Sequence, residues 1–296
     1  MPNVYDTITE RIIKQLESGT APWHKPWASR GDSGLPRNLR TLKPYRGINV
    51  WILMSAGFSS PYFLTYKQAQ ELGGNVSKGE KGLPVVFWKF GEYEQDNKVT
   101  GETEKHDSVL VRYYTVFNAS QCENLQVIPV APPDTHLDIP AIDLCEQIVD
   151  AWSTRPTIKH DGDKASYHKV LDYINMPSRN AFESGEEYYS TLFHEMTHST
   201  GHPKRLNRAT LTDFERFGDG NYSREELVAE MGAAFLCGFN GIENRTIGNS
   251  AAYLASWLKV LKEDHRMVIV AASQAQKAVD HILGISNYNS SDGSAT

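Results

Sequence analysis

The sequence predicts an α+β fold in two domains, an N-terminal half that mixes helices with strands and a C-terminal half that is mainly helical. Length is the first observation: 296 residues suffice for two domains of ordinary size, with apolar content enough for both cores. The second is a break, where Pro129, Pro132, Pro133 and Pro140 cluster around Asp134 and Asp138 at a density that reads as an extended linker. The third is the set of elements on either side, short helices and strands before the break and longer runs of helical spacing after it. The expected boundaries are 1–128 and 141–286 for the domains, 129–140 for the linker and 287–296 for a disordered tail rich in Ser, Asn and Gly.

Residues 4–18 form an amphipathic helix with Val4, Ile8, Ile12, Ile13 and Leu16 inward, stopped by Gly19. Helices follow near 48–56 and 65–72, the latter closed by Gly73-Gly74. Strands are expected at 85–90 and 109–117, with the charged stretch 91–107 as a hairpin excursion between them. Past the linker, 164–177 reads as a strand pair. Ser184 and Glu187 have capping-box spacing, Tyr188, Tyr189, Leu192, Phe193 and Met196 supply the apolar stripe of a buried helix, and Gly201 and Pro203 end it. Ser223 and Glu226 repeat the capping-box pattern before Leu227, Val228, Met231, Ala234, Phe235 and Leu236, which predicts a helix over 223–239. A later helix carries Tyr253 at its head. No internal repeat is visible.

Composition narrows the class. No apolar run approaches the ~18 residues of a membrane span, and the charged residues Asp6, Glu10 and Arg11 argue against a signal peptide, so no membrane partner is expected. Cys122, Cys145 and Cys237 are far apart, odd in number and without a C-x-x-C pair, which excludes a disulfide framework and fits a reducing cytoplasm. Net charge is −6, but residues 1–90 hold 12 basic against 6 acidic side chains, so an acidic total does not exclude a local basic surface.

His194-Glu195-Met196-Thr197-His198 carries the chemistry. Two histidines four apart share one face of a helix and can hold a single divalent ion, while Glu195 between them points off that axis and is placed to take a proton from a water in the open coordination position. This is the arrangement of a zinc metalloprotease, a zincin, in which an edge strand like that within 164–177 pairs with an extended substrate. A third ligand must come from another element. Carboxylates on an apolar helix are costly unless paired or metal-bound, and Glu226 and Glu230 share a face of the 223–239 helix. Glu226 is the expected ligand and Glu230 the group that holds a histidine ring, with the reverse order open. A solvated helix edge is the alternative for these glutamates, more so for Glu225 than for Glu230. His202 extends the histidine spacing, but Gly201 turns the chain and carries it off the face. Tyr253 is a possible oxyanion donor or an aromatic packed on Trp257. Zinc is the usual ion for two histidines and a glutamate, with manganese and cobalt compatible.

The first half holds Pro22-Trp23-His24-Lys25-Pro26-Trp27, then Arg37, Arg40, Lys43, Tyr45 and Arg46. Aromatics interleaved with cations suit single-stranded nucleic acid, because cations track phosphates and rings stack on unpaired bases regardless of sequence. Trp23 and Trp27 read equally as core anchors. Lys67, Lys78 and Lys81 either extend the phosphate track or are simply exposed; the Gly-x4-Gly-Lys-Ser/Thr spacing of a P-loop is absent.

Pro22-Trp23 with Lys25-Pro26-Trp27, Tyr45-Arg46-Gly47-Ile48-Asn49, Tyr66-Lys67-Gln68-Ala69, Lys78-Gly79-Glu80 and Val116-Phe117-Asn118 resemble the N-terminal domain of ArdC-type antirestriction proteins, shared with primases of conjugative plasmids. His194 to His202 and Glu225-Glu226-Leu227-Val228-Ala229-Glu230 resemble the zincin-like domain that follows it in that family. The resemblance implies a single-stranded DNA-binding plasmid product that protects entering DNA from restriction, with a metallopeptidase fold whose protein substrate is not specified. Two rivals differ in class: a non-enzymatic DNA-coating protein whose metal only supports folding, and a peptidase whose first half recruits protein.

Overall fold

A computed structural model describes residues 4–19, 21–24, 35–58, 60–96, 103–125, 141–212, 220–242, 244 and 251–285. Helix α1 spans Val4–Glu17 and buries Ile8, Ile12, Ile13 and Leu16, and Gly19 follows in a left-handed conformation (φ 78°) that a side chain would resist. After a 3-10 turn at Pro22–His24 come β1 (Arg37–Asn38), α2 (Ile48–Met54), β2 (Tyr62–Thr65), α3 (Tyr66–Glu71), β3 (Asn75–Val76), β4 (Leu83–Asp96), β5 (Thr103–Asn118) and β6 (Cys122–Glu123). The main sheet has the order β1-β2-β5-β4, parallel only between β1 and β2. Thr65 and Gln68 close a complete capping box that turns β2 directly into α3.

The charged stretch 91–107 forms a hairpin, as expected, but its strands run longer than 85–90 and 109–117, with pairing continuing from Gly91↔Ser108 to Asp96↔Thr103. Ladder bonds belong to the backbone, so charge in the sequence does not end the pairing.

The second half contains α4 (Ala141–Ala151), β7 (Thr157–Lys159), β8 (Ser166–His168), β9 (Tyr173–Asn175), α5 (Gly185–Thr200), α6 (Ala209–Thr212), α7 (Gly220–Asn240), α8 (Ala251–Glu263) and α9 (Met267–Ile282). The expected strand pair is β8 and β9, with β7 added in the order β7-β9-β8, which leaves β8 at an edge. Helix α7 is buried from Glu225 to Cys237 because α5, α8 and α9 all pack on it. It begins at Gly220, so Ser223 lies inside it and does not cap it; the Ser223 hydroxyl instead meets that of Ser256 on α8 at 2.5 Å. A cap needs non-helical backbone, which residue spacing alone does not report.

The α+β class holds, yet the halves do not keep separate cores. One apolar cluster runs from Ile8 in α1 to Ile282 in α9. Trp23 meets Trp257 edge to face at 5.5 Å, and Trp51 of α2 lies 4.6 Å from Phe235 of α7 between ring centroids. Polar ties cross as well, with Arg46 paired to Asp280, and Lys262 donating to Glu17 at 2.7 Å. The predicted linker and the tail beyond 285 lie outside the described residues.

Candidate metal centre

Helix α5 starts where its sequence predicts: Ser184 Oγ accepts the Glu187 N–H at 3.1 Å, while the Glu187 carboxylate reaches back to the N–H of Glu183, one residue before the cap. The helix ends at Thr200, so His194 and His198 occupy its last two turns on one face. That face is pressed against α7 through Gly232. A Cβ there would lie 2.4 Å from Thr197 Cγ2 and 2.6 Å from its Oγ1, closer than any side chain tolerates, so glycine is what lets the two helices approach.

This approach brings His194, His198 and Glu226 together. The two Nε2 atoms are 3.0 Å apart, and each lies 3.5 Å from one oxygen of Glu226. An ion bound tetrahedrally at roughly 2.0–2.1 Å from N and O donors holds those donors about 3.3 Å from one another. The nitrogen–nitrogen separation is close to that edge, and Glu226 sets Oε2 3.5 Å from His194 Nε2 and Oε1 3.5 Å from His198 Nε2, so the donor set is within reach of one divalent ion such as zinc. The opposite ring nitrogens are braced: His194 Nδ1 faces Glu230 Oε1 at 3.3 Å, and His198 Nδ1 faces Glu225 Oε1 at 3.3 Å. A proton held on each Nδ1 leaves each Nε2 lone pair pointed at the shared centre.

Glu225 is therefore not the solvated edge its position in the sequence suggests. It is 1% exposed, receives Arg208 Nε at 3.0 Å and Thr210 Oγ1 at 2.6 Å, and is tied to Arg208 Nη2 as well. Arg208 also donates to the carbonyl of Thr197 at 2.9 Å and to Thr200 Oγ1 at 2.7 Å, satisfying the end of α5. With neutral imidazoles, the glutamates at 225, 226 and 230 and the arginine leave a formal charge of −2, which a divalent cation would balance. The electrostatics agree in direction. Burial opposes charge on His194, but Glu226 and Glu230 raise its pKa well above the ordinary value. Burial likewise opposes charge on His198, and Glu226 with Glu225 pushes it up to about 9. Burial disfavours the Glu225 carboxylate, and Arg208 and His198 overcome it, holding the group at about 2. Glu226 is held below the usual carboxylate range by the two histidines despite its burial.

Glu195, 8% exposed, lies on the same helix beside this cluster. Burial raises its pKa, and His194 and His198 pull the other way. His202 faces Asp172 at 3.8 Å and not Glu226, as the turn at Gly201 requires. Asp172 accepts Tyr167 Oη at 2.8 Å and pairs with Arg205, so the β8–β9 turn is clamped to the segment that follows α5. Tyr253 is in α8, but its side chain is outside the described residues.

The aromatic-basic segment is only partly at the surface. Trp23 is fully buried, and Tyr45 is 8% exposed with its hydroxyl pushed up to about 12 by burial; both are core anchors, not stacking surfaces. Arg46 is committed to Asp280. Sequence composition identifies such rings as rigid and amphipathic but does not say which way they face. Arg37 donates to the carbonyl of Leu42 at 3.3 Å, Arg40 pairs with Glu71 at 2.5 Å, and Lys67 lies 3.9 Å from the same glutamate with 71% of its side chain exposed. Lys43, Lys78 and Lys81 are exposed, and Lys25 and Trp27 lie outside the described residues.

Residues 2–117 match the N-terminal domain of anti-restriction factor ArdC, and residues 145–274 match a zincin-like metallopeptidase family. The metal-free crystal structure of the antirestriction ArdC protein from plasmid R388 is 39% identical and superposes with a TM-score of 0.73, covering 95% of this chain and 97% of that one. The Mn(II)-bound structure of that protein gives 37% identity and the same TM-score, covering 99% and 100%. A DNA primase TraC of Escherichia coli is 38% identical over 94% of this chain, which spans only 20% of the primase. The uncharacterized protein y4eC of Sinorhizobium fredii is 32% identical, with 94% and 91% covered. No helix among the described residues is long and apolar enough to cross a membrane.

Proposed function

The chain belongs to the ArdC family of antirestriction proteins, and from that membership we propose that it binds single-stranded DNA without sequence preference and hydrolyses a protein substrate at a divalent metal, protecting incoming conjugative DNA in the cytoplasm of a bacterial cell. The observation that carries the reading is the meeting of His194, His198 and Glu226 within reach of one ion, with both imidazoles braced by buried glutamates. These three residues hold the ion, Glu230 and Glu225 fix the rings, and Glu195 is the general base. An ion bound there would polarise a peptide carbonyl and lower the pKa of water. Glu195 takes a proton from the attacking water and passes it to the departing amine, a task suited by the raised pKa that burial gives it. Tyr253 is assigned to the developing oxyanion. Zinc is the expected ion, with manganese and cobalt compatible, and the R388 relative is described with Mn(II). Lys25, Trp27, Arg37, Arg40, Lys43, Lys67, Lys78 and Lys81 are the candidates for DNA contact.

Substitution Glu195→Gln keeps the shape of the site and removes its base. Metal content and oligonucleotide binding should match the unsubstituted protein, while protection of an incoming plasmid collapses and cleaved host proteins disappear from proteomes of recipient cells. Undiminished protection would sink the enzymatic reading and favour a metal that only supports the fold. The observation on that side is the near-complete burial of Glu195.

A further inference from the structure

With Trp23 and Tyr45 buried, the exposed aromatic rings among the described side chains of the first half are Tyr66, 49% exposed, and Tyr113, 60% exposed. They are separated by 47 positions in sequence. Tyr66 opens α3 directly after Thr65, which pairs with Val116 of β5, and Tyr113 lies three residues beyond Val116 on that strand. Strand alternation puts Tyr113 and Thr115 on the face where Leu64 packs with Ala69 of α3, while Phe63 and Val116 point to the main core. Thr115 and Tyr113 are exposed there, whereas Val86, the β4 partner of Tyr113, is buried.

Lys67 follows Tyr66 in α3, and Arg40, from the loop after β1, reaches α3 at Glu71. Arg40 and Lys67 thus meet at Glu71. The register sets Arg37 level with Tyr62, at the other end of β2 from Tyr66, so the 37–43 cations lie farther along the sheet, with Arg37 about 20 Å from Tyr113 in the strand direction.

We propose that this strip, Tyr66 and Tyr113 as stacking rings with Lys67 next to Tyr66 and the 37–43 cations farther along the sheet, is the surface on which the bases of single-stranded DNA lie. The assignment rests on the single-strand reading and deepens it. Two exposed rings present π surfaces that accept any base, and the cations follow the phosphates. Double-stranded DNA offers no base faces to such rings.

The full-length protein and a labelled oligothymidylate, followed by fluorescence anisotropy at several salt concentrations, supply the test. Tyr66→Ala and Tyr113→Ala should each weaken binding by about five- to a hundredfold with no change in salt slope, because a stack is lost and no phosphate contact is. Tyr66→Phe and Tyr113→Phe should bind nearly as the unsubstituted protein. Lys67→Gln should flatten the plot of log affinity against log salt by about 0.7. Melting curves of the alanine variants, whose rings are half exposed, should match the parent. If the parent binds and both alanine variants bind equally tightly, the strip is wrong and the single-strand reading survives. If the parent itself fails to bind, that reading falls and the strip with it.

Discussion

Glu225 braces His198 from below, with Arg208 as its buried counter-charge. Glu225→Gln would leave the Arg208 guanidinium, 4% exposed, without its ionic partner and exchange a carboxylate for a weaker acceptor at His198 Nδ1. Breaking a buried pair on one side costs about 3–5 kcal/mol, and losing a group that orients a ligand lowers metal affinity about 10–100-fold. Urea melts and competition with a fluorescent chelator read the two effects; an unchanged affinity would separate Glu225 from the metal centre. Three of the central side chains are legible in the sequence, since His194, Glu195 and His198 are related by a single helical turn. Glu226 and Glu230 are legible as carboxylates in need of partners. The role of Glu225 is not, because its partner Arg208 comes from a loop 17 residues earlier and its neighbours in sequence do not reveal that it is enclosed. The signal available is its place beside Glu226 and Glu230 at the head of an apolar helix.

At the scale of elements, the metal centre is a property of the α5–α7 contact. Neither helix holds the site alone. Gly232→Ala would drive a methyl into Thr197, and such overpacking costs about 1–3 kcal/mol while pushing the glutamates of α7 away from the histidines of α5. Metal affinity should fall together with melting temperature, and adding Thr197→Ala, which removes the opposing methyl and hydroxyl, should restore part of both. Calorimetry with the four proteins of that cycle checks the coupling; additive losses would show that the two residues do not press on each other. Helix boundaries follow from caps and stops where these are local, as at Ser184, Thr65 and Gly19. They fail at Ser223, where a capping-box spacing sits one turn inside a longer helix, and the strand ends expected at Phe90 and Val109 are passed, because backbone pairing of the hairpin continues beyond them.

For the molecule as a whole, the shared core predicts shared stability. Because α1, the Trp23 turn and α2 pack on α7, α8 and α9, neither half has a complete core of its own. Thermal unfolding read by tryptophan fluorescence, to which Trp23 and Trp51 contribute, should coincide with loss of helix by circular dichroism. Saturating metal should raise both together, by about 2.7 kcal/mol at a hundredfold excess over the dissociation constant. Two resolved transitions, with metal shifting only one, would separate the halves. The sequence by itself determined the α+β class, the helix that presents two imidazoles and a base, and the acids that accompany them, because each depends on spacing along one element. Tertiary structure alone decided that Trp23 and Tyr45 face inward, that Glu225 is enclosed, that one core joins the halves and that Tyr66 and Tyr113 are left exposed. Those outcomes depend on which surfaces meet, and residue order records an apolar or charged face without recording what it will be pressed against.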